Sequence, residues 1–157
     1  MKRIFKMKRA GWILSFLFAL PIIGGLGCAR TDIGLRNGRL LPCPNSPNCV
    51  SSQDEKKSHK IAPLAYSCSK EKARKKLETL LKSMAGCEIK SKSDDYIHAI
   101  FKSRLFRFTD DVEFYFPEKP GLIHVRSASR IGYYDFGVNR KRVEKIRELF
   151  SEMAGKP

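Results

Sequence analysis

The chain has 157 residues, room for one domain with a single core, and its 31 Lys+Arg against 16 Asp+Glu give a formal charge of +15. Five of those cations (Lys2, Arg3, Lys6, Lys8, Arg9) and no acid fall in the first 27 residues, so removing that segment takes +5 from +15 and leaves a domain of +10. A field of that sign draws anionic partners rather than basic ones: lipid head groups, acidic glycans or nucleic acid.

The amino terminus predicts export. Met1 to Arg9 is cationic, Ala10 to Ile23 is apolar, and Gly24-Gly25-Leu26-Gly27 precedes Cys28. A basic stretch, a short apolar stretch and small residues make residues 1–27 a secretory signal. Cys28 after Gly27 resembles a bacterial lipobox, which implies lipidation of its thiol and cleavage before it. The departure is Gly25, where the lipobox prefers Leu. The alternative is an uncleaved anchor, since residues 10–27 approach the lower length limit for a span. Either way the domain is expected outside the cytoplasm and on a membrane. Ala29, in place of the Asp that retains lipoproteins at the inner membrane, implies the outer membrane of a diderm cell.

Residues 28–41 predict a lipid-attached linker, with Gly34, Asn37 and Gly38 and no sustained period. Thirteen extended residues reach at most about 45 Å, so the domain stays near the lipid surface. A cysteine loop follows, Cys43-Pro-Asn-Ser-Pro-Asn-Cys49. Its prolines forbid a helix and discourage a central strand. In an exported protein Cys43 and Cys49 predict a disulfide. Zinc is the alternative, but no second close pair of ligands accompanies them. Cys68 and Cys87 flank a helix about 18 residues long. At ~1.5 Å per residue it holds them more than ~20 Å apart, too far to pair.

From residue 42 to 154 the pattern predicts one α+β domain. Residues 69–85 are a helix, with Ala73, Leu77, Leu80, Leu81 and Met84 on one face, Ser67 or Ser69 at its start and Gly86 at its end. Four strands follow, over 87–91, 96–104, 108–116 and 122–130. In the third, Val112, Phe114 and Phe116 alternate with Asp111, Glu113 and Tyr115. A second helix over 139–154 carries Val143, Ile146, Leu149, Phe150 and Met153, with Asn139 as cap and Gly155 as stop. The expected fold is an antiparallel sheet of about four strands with two helices packed on one face, in the order α-β-β-β-β-α.

Three blocks carry a resemblance: Cys43-Pro-x-Ser-Pro-Asn-Cys49-Val-Ser-Ser-Gln53, Phe108-x-Asp-Asp-Val-Glu-Phe114, and Arg126-Ser-Ala-Ser-Arg-x-Gly-x-x-Asp-x-Gly-Val-Asn-Arg140. In this order they closely resemble the domain of unknown function 1499 family, over about Leu40 to Phe150. The resemblance implies an exported or membrane-attached protein. It brings no established activity.

Two functional readings follow from the residues. Asp111 and Glu113 project from one face of a strand about 7 Å apart. With Asp110 they form an acidic cluster able to hold a hard cation or to act as acid and base. The same acids can instead pair with arginines of the neighbouring strand, Arg126 foremost. In the third block Arg126, Ser127, Ser129, Arg130, Asp135, Asn139 and Arg140 make a candidate anion site. Its donors sit beside glycines and a helix start, where free N–H groups favour anions. The alternative there is that Asp135 and Asn139 cap the helix while Arg130 and Arg140 pair with Asp110 and Asp111.

His59, His98 and His124 lie outside the blocks, and Ser51-Ser52 has no sequence-local base, so Ser/His hydrolysis is disfavoured. Nucleic acid suits the charge but not the compartment. The expectation is a non-enzymatic cell-envelope lipoprotein, without cofactor or metal, that recognises an anionic lipid or cell-wall group. The alternative is an acid/base or metal-assisted enzyme built on Asp110, Asp111 and Glu113.

Overall fold

The computed structural model describes residues 32–103 and 108–154. The expected signal, the lipidation site Cys28 and the stop at Gly155 lie outside the described residues. Among the described residues no helix is long and apolar enough to cross a membrane.

Ten elements follow in order: β1 (Leu35–Arg36), β2 (Arg39–Leu40), β3 (Cys49–Ser51), β4 (Leu64–Ala65), α1 (Lys70–Ser83), β5 (Cys87–Lys92), β6 (Tyr96–Lys102), β7 (Thr109–Tyr115), β8 (Leu122–Ser129) and α2 (Val138–Ala154). Ser69 starts α1, its hydroxyl accepting from Lys72 N at 3.3 Å. Gly86, at φ +76°, follows its end; an added Cβ would stand 2.6 Å from Lys102 O, so only glycine fits the turn into β5.

The expected four-stranded sheet is corrected. The sheet has six strands in the order β3-β8-β7-β6-β5, with β4 also pairing β8, and β1 and β2 make a separate two-stranded pair. Four strands thus precede α1, and the order is β-β-β-β-α-β-β-β-β-α. The missed strands have two or three residues each, too few to show a period of two. Backbone pairing along β8 holds β3 and β4: Cys49, Val50 and Ser51 face Ala128, Ser127 and Arg126, while Leu64 and Ala65 face Ile123 and Leu122. The stretch expected as linker is likewise built into the fold from residue 32 on. Gly34 N donates to Glu113 Oε1 at 2.6 Å, Leu40 is buried, and its N–H donates to Gln53 Oε1.

Register separates the two sheet faces. Ile97, Phe114 and Val125 form one row, and Ala99, Val112 and Ser127 the next. This face meets α1 and α2 through Ala73, Leu77, Leu81, Val143, Ile146 and Phe150, all buried. Each such large side chain contributes roughly 1.5–3 kcal/mol by leaving water. The opposite face carries His98, Glu113 and Arg126 in one row and Ile100, Asp111 and Ala128 in the next. β2 and the chain before it lie against this polar face.

Candidate functional site

The strand pattern that sends Asp111 and Glu113 to one face sends Asp110 to the other, so the three acids do not converge. On the helix side, Asp110 Oδ2 accepts from Arg142 Nη2 at 2.5 Å. The same guanidinium stands 5.0 Å over the Phe101 ring and donates to Ser127 Oγ and Asn139 Oδ1. On the polar face Glu113 is fully buried. It accepts from Arg126 Nη1 at 2.8 Å, Tyr96 Oη at 2.7 Å and Gly34 N at 2.6 Å. Burial and this carboxylate hold the Tyr96 hydroxyl protonated far above the usual tyrosine range. Asp111, also buried, takes two bonds from Arg130 (2.9 and 2.8 Å) and one contact from His98 Nε2 (2.8 Å). That hydrogen bonding raises the Arg130 pKa above its ordinary value.

The serines, asparagine and aspartate of the third block are taken up the same way. Asp135 caps α2: Oδ2 accepts from Asn139 N at 2.8 Å and Oδ1 from Gly137 N at 3.0 Å. Asn139, expected as the cap, instead lies fully buried. Its amide donates to Asn48 O, Ser129 Oγ and Asp135 Oδ2, and its oxygen accepts from Ser127 Oγ at 2.6 Å. Arg140 pairs with neither Asp110 nor Asp111; it donates to the carbonyls of Lys60 and Ser58, both at 2.9 Å. Asn48 closes the circle, donating to Gly132 O. The three sequence blocks therefore meet in one hydrogen-bonded network.

A family model described as a protein of unknown function (DUF1499) matches residues 39–150, a stretch that holds all three blocks. The chain belongs to the DUF1499 family. No curated protein and no solved structure matches it.

The expected disulfide of this DUF1499 domain is present, joining Cys43 and Cys49 with Cα atoms 5.7 Å apart. Cys68 and Cys87 are free thiols. Burial pushes Cys87 up to about 11, which leaves it a poor nucleophile. Cys43, Asp54 and His59 cluster closely enough to suggest a metal site. With the Cys43 sulfur in a disulfide, two ligands remain, fewer than a structural zinc takes.

Sequence reasoning missed a serine–histidine contact. Ser52 Oγ lies 3.2 Å from His124 Nδ1 and accepts from Val125 N at 2.9 Å. The pairing runs across β8 and leaves no sequence-local trace. Burial, then the Arg39 charge, lowers the His124 pKa from 6.5. A base held below its usual value by burial, and further by a neighbouring cation, is the reverse of the carboxylate-supported histidine of a hydrolase. The shift also predicts a pH response. The unfolded chain binds this proton more readily, so the contribution is complete above about pH 6.5 and is lost as pH falls through the folded value. Histidine NMR titration should give a midpoint below 6.5, and His124→Asn should flatten that part of the stability curve.

An opening adjoins Arg126. A cavity of about 420 Å³ is lined by Asp32, Arg36, Pro42, Cys43, Pro44 and Arg126. Arg126 is 3 % exposed, and its Nε has no hydrogen-bond partner among the described residues.

Proposed function

We propose that this DUF1499 chain is a lipid-anchored, non-enzymatic domain of the cell envelope that binds an anionic group beside Arg126. The observation that carries the reading is the buried Arg126 guanidinium with an unpartnered Nε, lining a cavity that also holds Arg36. Burial strengthens an arginine's attraction for a phosphate or carboxylate. The +10 that remains once residues 1–27 are removed adds a favourable long-range field. The enzyme alternative loses support, because Asp110, Asp111 and Glu113 are each engaged by an arginine and face different sides of the sheet.

The test is thermal shift of residues 29–157, disulfide intact, against glycerol phosphate and inorganic phosphate at fixed ionic strength. The folded domain should rise in Tm with the anion, and Arg36→Gln should lose most of that rise while melting at a similar temperature without ligand. An equal response in Arg36→Gln, or none in either protein, would remove the cavity as the site.

A further inference from the structure

The loop between β8 and α2 turns its apolar side chains toward solvent. Ile131 is 70 % exposed, Tyr133 73 %, Tyr134 60 %, Phe136 81 % and, at the first position of α2, Val138 46 %. Scattered apolar residues are ordinary on a surface, whereas five within eight positions form a patch of the kind that contacts something.

The exposure is held in place. Gly132 O is fixed by Asn48, and Asp135 ties down both Gly137 N and Asn139 N. Phe136 sits at φ +54°, a left-handed conformation that a bulky residue adopts only where its surroundings impose it. Its ring packs edge-on to Tyr134 at 5.2 Å. A loop fixed in this way loses little conformational freedom on contact. Phe108, also exposed, lies at the same end of the sheet, beside Thr109, whose carbonyl accepts from Arg130 N.

We propose that this loop is a bilayer contact. Phe136 and Tyr133 enter the boundary between head groups and acyl chains of an anionic membrane, and the exposed Lys141 rests against the lipid phosphates. The proposal rests on the membrane-attached reading above and adds the surface that faces the lipid. Three observations select a bilayer as occupant. Chain outside the described residues includes the apolar run Ala10–Ile23 and Cys28, and it joins the domain at Asp32. Asp32 lines one cavity with Pro44, in the cysteine loop that Asn48 ties to Gly132. Four residues from Cys28 to Asp32 span at most about 14 Å, so a lipid on Cys28 holds this end of the domain against the bilayer. Tyrosines also suit the membrane interface, and a basic flank suits anionic lipid.

The test uses the full chain, whose only tryptophan is Trp12. Three single-tryptophan reporters are made in a Trp12→Phe background: Phe136→Trp, Tyr133→Trp and, at the far end of β8, Leu122→Trp. Each is reconstituted with phosphatidylethanolamine/phosphatidylglycerol vesicles containing lipid brominated high on the acyl chain. The two loop reporters should shift to the blue, lose intensity to the bromines and resist iodide, while the Leu122 reporter stays in water. Loop reporters that remain open to iodide in chain that pellets with vesicles overturn the contact and leave membrane attachment standing. A blue shift without bromine quenching means a protein covers the loop, and overturns it too. Chain that does not pellet at all removes both attachment and contact.

Discussion

Glu113→Ala is expected to lower the unfolding free energy by about 3–5 kcal/mol, the usual cost of removing one partner from a buried ion pair. Glu113 is fully buried and Arg126 3 % exposed, so truncation leaves a buried guanidinium without its charge partner. Tyr96 Oη and Gly34 N lose their acceptor in the same step. The measurement is urea unfolding followed by circular dichroism. Adding Arg126→Met should recover a substantial part of the loss, because an uncharged side chain of similar length no longer needs the carboxylate. A single variant within about 1 kcal/mol of the parent would mean that water reaches Arg126 and the pair is not the keystone of the polar face.

Asn139→Ala is expected to cost about 2–4 kcal/mol, from several buried polar groups losing partners at about 1–3 kcal/mol each with partial relief by rearrangement. The side chain joins β3 through Asn48 O, β8 through Ser127 and Ser129, and the start of α2 through Asp135. Asn139→Asp keeps the shape but replaces the donating amide with an acceptor, so it should fare no better. The readout is the unfolding midpoint together with amide exchange at Ser129, whose N–H is bonded to Asn48 O. Exchange there should accelerate more than in the centre of β7. Uniform acceleration would indicate global loss of stability instead of a loosened clasp.

These effects bear on how the blocks are to be understood. Residues that suggest a site by composition — four acids, three arginines, two serines and an asparagine — are largely spent within the fold. Arg126 and Glu113 are directly opposed in register, and that pairing was readable from the predicted hairpin. Arg142 as the partner of Asp110 was not, because it lies on a helix whose placement over β7 depends on the packing of the whole core. The burial of Asn139 was missed for a related reason. Asparagine just before an amphipathic run signals a cap, but Asp135 takes that role and frees Asn139 to face inward.

By itself the sequence determined whatever has a local period or local chemistry. The amphipathic faces of α1 and α2, the alternation in β7, and the Cys43–Cys49 bond between nearby thiols all belong to this class. So does membership of the DUF1499 family, through three contiguous blocks. Only the tertiary structure decided that β3 and β4 extend the sheet along β8, that Asp110 parts from Asp111 and Glu113 in its choice of arginine, and that Tyr133 and Phe136 face solvent. The physical reason is range. Periodicity is written within an element, whereas pairing is set by register between elements far apart in the chain, and a slip of one residue would reverse which side chains are buried.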